Sequence, residues 1–369
     1  MGDPWDDADL VRRFRESANA AERRSPLNAA LSRIVARDRS LATLLGHAPA
    51  EQQLPVLLLA AVHHELLADR DHELARWYPN LTPSPASPDD RRLPEVFTSF
   101  VHDHSASILK SLATRHVQTN EVGRTALLVA GLGEVTSVLE GRPLAHLDVG
   151  TSAGLNLLLD RLRYRFVGDD GATHPLRGSA AGGAAPEIVA DVRGRLDLPD
   201  RMPTVTARRG LDLHPIDLDD AVNRRWLEAC VWPDQADRFA RLRAALELAR
   251  SDPPELVRGD AVDSLADHVE DLQGHGVPLV TTTWVLNYVP TDRRRAFVDT
   301  LDQLGSAGDL MWVFAEAPAL TQGLPHAPEQ QAEHRTAVTR VTWRGGERVV
   351  DHVAIAHPHG YWIHADAAS

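Results

Sequence analysis

One segment, residues 146–157, carries the clearest chemical signal in this sequence. It reads His-Leu-Asp-Val-Gly-Thr-Ser-Ala-Gly-Leu-Asn-Leu: an apolar run, a glycine-rich turn and a second apolar run. That order is typical of the strand, loop and helix that open a nucleotide-binding unit, where the turn lies against a cofactor. The same letters spell Gly-x-Ser-x-Gly, the nucleophile elbow of serine hydrolases, with Ser152 as the nucleophile. The turn is therefore predicted either to bind a cofactor or to present Ser152.

The position of this turn in the chain favours the cofactor interpretation. A hydrolase elbow normally follows several strands, whereas only helices are predicted before residue 144, and no His-Gly-Gly-Gly segment lies upstream. Three late histidines, His357, His359 and His364, keep a catalytic triad possible, because triad order differs between folds.

The elements that must position the turn predict an α/β fold with a doubly wound sheet. Residues 1–140 read as a helical N-terminal domain, with Asn120 as the N-cap of a helix over 121–139. Residues 141–369 alternate between strands and helices, which indicates a mostly parallel Rossmann-like sheet. We expect strand 144–149, helix 152–162, an irregular insertion near 163–202, strand 203–213, and a hairpin around Gly345 and Gly346 at an antiparallel edge.

Composition narrows the class of protein. The net charge of −13, with short scattered arginine clusters, disfavours nucleic acid as a partner. The only cysteine, Cys230, excludes an internal disulfide and a cysteine-based zinc site, and the histidine spacings do not indicate a metal. No apolar run approaches the ~18 residues of a membrane span, and residues 1–13 do not read as a signal peptide. We therefore expect a cytoplasmic protein; the oligomeric state stays open.

The pattern Asp148-x-Gly150-x-Ser152-x-Gly154 resembles the first motif of class I S-adenosylmethionine-dependent methyltransferases. The resemblance implies that S-adenosylmethionine is the cofactor and that its methionine part lies against the turn and Asn156. It also implies an acidic residue for the ribose at the end of the second strand, either Asp212 or Asp169. Asp260 with Ala261 would face the adenine. Asn287 and Tyr288, after the fourth strand, would face the methyl group, with Tyr288 as a possible acid or base.

Longer strings resemble an uncharacterised actinobacterial family known as domain of unknown function 2332. They include Ser25-Pro26-Leu27, Gln118-Thr119-Asn120-Glu121-Val122-Gly123-Arg124, Gly150 to Leu157, Arg209-Gly210-Leu211-Asp212, Arg225 to Asp234 and Arg258-Gly259-Asp260-Ala261. This resemblance covers nearly the whole chain and implies no activity.

The favoured hypothesis is a methyltransferase that acts on a small molecule or a protein, with catalysis mainly by alignment of the reactants. Asn120 and Glu121 are interpreted either as helix-capping residues or as part of a lid that contacts substrate or cofactor. A serine hydrolase that uses Ser152 is the first alternative. A non-catalytic domain that binds a nucleotide or a partner is the second.

Overall fold

The computed structural model describes residues 7–118, 120–133, 139, 141–178, 185–327 and 335–365. The chain divides into two compact units: Met1–Asn120 with Leu218–Arg243, and Glu121–Asp217 with Ala244–Ser369. The sequence prediction placed the boundary at 140, whereas residues from Glu121 onward belong to the second unit, and 218–243 belongs to the first.

The described residues contain helices and one sheet, labelled in chain order. The helices are α1 (Asp7–Ala21), α2 (Pro26–Arg37), α3 (Arg39–Ala42), α4 (Pro55–Ala68), α5 (Leu93–Asp103), α6 (Ser105–Thr114), α7 (Thr125–Leu132), α8 (Ala221–Ala229), α9 (Ala236–Ser251), α10 (Leu265–Gln273) and α11 (Thr291–Ala307). The strands are β1 (Leu144–Val149), β2 (Arg163–Gly168), β3 (Thr173–Arg177), β4 (Glu187–Arg193), β5 (Val205–Asp212), β6 (Glu255–Arg258), β7 (Val277–Thr283), β8 (Leu310–Glu316), β9 (Thr336–Arg344), β10 (Glu347–Ala356) and β11 (Trp362–His364).

The first unit is helical, as the sequence predicts. Pro26 and Pro55 stand at the first positions of α2 and α4, where the missing N–H costs nothing and the fixed φ suits a helix. Helix α4 is apolar around almost its whole circumference and is therefore buried. The helices close around one core, whose largest side chains include Phe14, Trp77, Phe97, Phe100 and Trp226.

The second unit is built on an eleven-stranded sheet with the order β3-β2-β4-β11-β10-β9-β8-β7-β1-β5-β6. The block β6-β5-β1-β7-β8 is entirely parallel. When its five strands are numbered along the chain, their spatial order is 3-2-1-4-5. Its direction of winding reverses between β1 and β7, and ligands of open α/β sheets bind outside the carboxyl ends of strands at such a point. Mixed α/β architecture with a large, mostly parallel sheet is thus confirmed.

The carboxyl ends of the central strands lie side by side. Val149, the last residue of β1, is in register with Leu211 of β5 and with Thr282 of β7. Strand β8 ends one strand further along at Glu316. Residues that follow these four strands in the sequence therefore meet at one edge.

The predicted irregular insertion at 163–202 is wrong where the structure describes it, because it contains β2, β3 and β4. Alternating residues of β2 and β4, such as Tyr164, Phe166, Ile188 and Ala190, are buried in the strand pattern. The glycines and prolines around them hid this alternation in the sequence; residues 179–184 lie outside the described part.

Three further predictions need correction. The β9–β10 hairpin forms as expected, but it lies inside the sheet, because β11, β4, β2 and β3 continue beyond it. The predicted helix at 152–162 is a short 3-10 helix, Leu155–Arg161, since Gly154 is left-handed with φ +76°. The side chain that caps the turn at 122–124 is Glu121 rather than Asn120. Residues 134–138 of the predicted helix lie outside the described residues.

Candidate functional site

The backbone N–H groups of the turn after β1 donate to other groups of the second unit. Gly150, Ser152 and Gly154 all have positive φ, at 72°, 53° and 76°. The Gly150 N–H donates to the Leu211 carbonyl across 2.8 Å, and the Gly154 N–H donates to the Thr151 carbonyl across 2.9 Å. A phosphate cradle needs several N–H groups that point at the ligand, usually from a helix N-terminus. This turn therefore does not have the form of a phosphate site.

Asp148 is fully buried at the end of β1. Its Oδ1 accepts hydrogen bonds from the Thr281 hydroxyl at 2.7 Å and from Asn156 Nδ2 at 3.4 Å. Asn156 Nδ2 also donates to Thr283 Oγ1 at 3.1 Å, so both residues are tied to β7. Burial raises the pKa of Asp148 to about 6, and the hydrogen bonds, that of Thr281 first, oppose the rise. A buried carboxyl group with a raised pKa thus lies at the end of the strand that leads into the turn.

Asp212 is the last residue of β5 and accepts a hydrogen bond from the turn. Its Oδ2 accepts the N–H of Ser152 at 2.8 Å, and its Oδ1 accepts the N–H of His214 at 2.8 Å. The N–H of Ile216 in turn donates to the Ser152 carbonyl at 3.0 Å. Because β5 pairs directly with β1, Asp212 ends the second strand of the parallel block; Asp169 follows β2, which pairs with β3 and β4 elsewhere in the sheet.

Asp260 follows β6 and holds the start of the next segment. Its Oδ1 accepts the N–H groups of Val262 at 2.8 Å and Asp263 at 3.2 Å, and Arg293 Nη2 at 2.5 Å. Burial acts to raise the pKa of Asp260, but these bonds and the charge of Arg293 outweigh it and hold the pKa below its ordinary value. Ala261 is half-buried beside it against the core. Their predicted contact with adenine remains a prediction.

The loop after β7 lies over the turn. An ideal Cβ on Gly150 would stand 2.1 Å from Val285 Cγ2, so only glycine allows this approach. Trp284 has φ +55°, and its indole N–H donates to Thr336 Oγ1 at 2.8 Å. Of the two residues predicted to face the methyl group, Asn287 is half-buried and Tyr288 is 81% exposed.

Sequence reasoning missed Glu316, which is fully buried at the end of β8. Its Oε1 accepts the N–H groups of Val285 at 3.1 Å and Leu286 at 3.3 Å. Burial raises the pKa of Glu316 to about 7, against the effect of these bonds and of Arg124 and Arg294. The signal available in the sequence was a single acidic residue at the end of an otherwise apolar strand, Leu310–Glu316.

Glu121 and Arg124 bind the segment after β10 to this edge. Glu121 Oε1 accepts the Gly123 N–H at 2.9 Å, and its Oε2 lies 3.6 Å from His359 Nδ1. Arg124 donates through Nε to the Pro358 carbonyl at 2.9 Å and through Nη1 to the Thr283 carbonyl at 3.3 Å. Asn120, by contrast, is counted with the first unit and is half-buried there. The predicted lid role of Asn120 and Glu121 remains a prediction.

The described part of the chain contains neither a metal-binding cluster nor a membrane-spanning helix. No group of three or more His, Cys, Asp or Glu side chains there is arranged to hold a metal ion. Nor does any helix in the ranges given above have the length and apolar character needed to cross a membrane.

Comparison with known proteins identifies the family. A family model described as an uncharacterised protein conserved in bacteria, DUF2332, matches residues 11–364. No curated protein matches the chain, and no solved structure matches it. The match covers almost the whole chain, as the strings around Asn120, Gly150 and Trp226 predicted. The chain therefore belongs to the bacterial DUF2332 family.

Proposed function

We propose that the second unit binds S-adenosylmethionine at the carboxyl edge of β1, β5 and β6 and transfers its methyl group to a small molecule or a protein. The observation that carries the proposal is the bond between the Ser152 N–H and Asp212 Oδ2 within the 3-2-1-4-5 block. It joins the turn and the acidic strand end that the methyltransferase motif uses for one cofactor.

The residues at this edge fit a nucleoside without phosphates. The turn offers the N–H groups of Gly150 and Gly154 to carbonyl oxygens, which disfavours a dinucleotide or a nucleoside triphosphate. Asp212 accepts one N–H on each oxygen, and a carboxylate has about four acceptor positions, so capacity remains for the two hydroxyls of a ribose. Asp212 would hold the ribose, and Asp260 with Ala261 would lie toward the adenine.

The protein's own part in the reaction would be alignment and exclusion of water. The bound cofactor supplies an electrophilic methyl group on a positively charged sulfur. The buried carboxyl groups of Asp148 and Glu316 lie at the same edge, and in their ionised forms they would favour a cation there. Asn287 Oδ1, buried and without a hydrogen-bond partner among the described residues, is suited to orient the acceptor. Tyr288, which is exposed, is the candidate acid or base from the same loop.

Isothermal titration of the full chain with S-adenosylmethionine and S-adenosylhomocysteine tests the proposal. We expect saturable binding of both ligands, with circular dichroism as the check that the protein is folded. Because Val285 packs against Gly150 of the turn, the titration is repeated with a variant that has a smaller side chain at position 285. Absence of heat with both proteins would contradict the cofactor assignment. Binding of both ligands without methyl transfer to any offered acceptor would favour the non-catalytic alternative.

One observation favours the hydrolase alternative. Ser152 has φ +53°, the strained left-handed backbone that a nucleophile elbow also requires. A fluorophosphonate probe separates the two hypotheses, because a serine nucleophile is labelled covalently and the Ser152→Ala variant is not. We expect no labelling of Ser152; labelling that is lost in the variant would establish the hydrolase.

A further inference from the structure

Val285 packs directly against Gly150 in the turn. The position of a Cβ on Gly150 lies 2.1 Å from Val285 Cγ2 and 2.6 Å from Val285 Cβ. The side chain of Val285 is thus packed against the backbone of Gly150, and no atom of a ligand fits between the two. The contact lies between β1 and β7, where the sheet changes its direction of winding.

The loop that carries Val285 is held in place by bonds to the end of β8 and to the start of β9. Glu316 Oε1 accepts the N–H groups of Val285 and Leu286. The backbone N–H of Trp284 donates to the Ala315 carbonyl at 3.1 Å, and its indole N–H donates to Thr336. Trp284 adopts φ +55°, a conformation that costs a bulky L-residue free energy and persists only where surrounding contacts impose it.

Glu316 has one carboxyl oxygen that the loop after β7 does not use. Its Oε2 is buried and has no hydrogen-bond partner among the described residues. Buried carboxyl oxygens are normally satisfied, so this oxygen could accept a further N–H if the strained loop took a second arrangement.

Together these contacts point to a closed state of the site. We infer that Val285 is a gate which closes the cofactor site against Gly150, and that Glu316 holds the gate shut through the amides of Val285 and Leu286. The inference rests on the proposed function. The cofactor then enters only when Val285 and its loop move away from the turn. The apparent affinity is weaker than the intrinsic affinity by the fraction of molecules that are open.

Removal of the valine side chain beyond Cβ tests the gate. S-adenosylhomocysteine is titrated into the full-length wild type, Val285→Ala and a matched control, Val289→Ala, which shortens a half-buried valine of the same loop. We expect Val285→Ala to bind about tenfold more tightly, as when the open fraction rises from about a tenth to nearly all. Stopped-flow mixing should show faster association as well, while Val289→Ala should match the wild type in both.

The outcomes separate the gate from the proposed function. Binding by the wild type with equal or weaker binding by Val285→Ala, with both proteins folded by thermal melt, overturns the gate alone. Absence of binding by all three proteins overturns the proposed function and the gate with it. Binding by Val285→Ala but not by the wild type supports both, and identifies a gate that is closed in nearly every molecule.

Discussion

The backbone N–H of Ser152 donates to Asp212 Oδ2 across 2.8 Å and so joins the turn after β1 to the end of β5. Ser152 itself has positive φ, so the bond anchors the turn at a residue with an uncommon backbone conformation. Asp212 is fixed a second time by the His214 N–H, so its carboxylate is preorganised before any ligand arrives. Such fixed charged groups lose little entropy on binding.

Substitution of Asp212 should weaken binding of the proposed cofactor. A hydrogen bond to a charged group is worth about 1.5–3 kcal/mol, so Asp212→Ala should weaken S-adenosylhomocysteine binding by roughly 10- to 100-fold. The matched control is Asp169→Ala, which changes the other candidate from the sequence and lies beyond β2. Isothermal titration of both variants tests the prediction. Equal affinities of the two variants would contradict a role of Asp212 in binding.

The backbone strain at Ser152 should lower the free energy of unfolding of the protein. At φ +53° a Cβ is unfavourable, whereas glycine accepts this backbone freely. Ser152→Ala and Ser152→Gly both remove the hydroxyl, and they differ only in the Cβ. We expect Ser152→Gly to have the larger free energy of unfolding by about 1 kcal/mol in urea titrations. A more stable alanine variant would mean that the turn does not keep this conformation in solution.

The buried carboxyl of Asp148 should make the protein less stable as pH rises. Its pKa is raised from 3.8 to about 6, so the folded state binds the proton more tightly than the unfolded state. The stabilisation is complete below pH 3.8 and is lost as the pH passes about 6. At about 1.4 kcal/mol per pKa unit, the loss is on the order of 3 kcal/mol.

Asp148→Asn isolates this effect, because the amide stays neutral and its oxygen can still accept the bond from Thr281. The difference in free energy of unfolding between wild type and variant should shrink or reverse across this pH range. A difference that stays constant with pH would show that Asp148 is not buried as described.

The sequence predicted the central parallel block well. Strands β1, β7 and β8 are short apolar runs bounded by turn residues, and such runs reveal themselves without tertiary information. Strands β2 and β4 were missed because their alternation is brief and lies among glycines and prolines. Strand pairing shows that Asp212, and not Asp169, ends the strand beside β1, and the local sequence does not encode this pairing.

The site was predicted only in part, for a physical reason. The turn and Asp212 follow strands directly, so their approximate place could be read from the sequence. The burial of Glu316 depends on contacts with a loop about thirty residues away in sequence, and the contact of Val285 with Gly150 joins even more distant segments. A glutamate is normally expected at the surface, and only the packed structure shows that this one is not.

Removal of one partner of the ion pair between Arg208 and Asp160 should lower the free energy of unfolding. Arg208 Nε donates to Asp160 Oδ1 at 3.0 Å and Nη2 bonds to Oδ2, while the Asp160 side chain is only 1% exposed. Arg208→Met should lower the free energy of unfolding by about 3–5 kcal/mol, because it leaves a buried charge without its partner. The double variant Asp160→Asn with Arg208→Met should recover part of this loss in the same denaturation experiment. A purely additive cycle would contradict the coupling.

Glu316 should give the protein a second pH dependence, at higher pH than that of Asp148. Burial raises its pKa from 4.5 to about 7, so its contribution to stability is complete below pH 4.5 and is lost as the pH rises through about 7. Glu316→Gln is neutral throughout and keeps an oxygen that can accept the Val285 and Leu286 amides. We expect the variant to gain on the order of 3 kcal/mol relative to the wild type over this range, measured by urea unfolding at several pH values. A parallel pair of stability curves would show that Glu316 titrates as an exposed carboxyl group does, and that the loop is not held by a buried one.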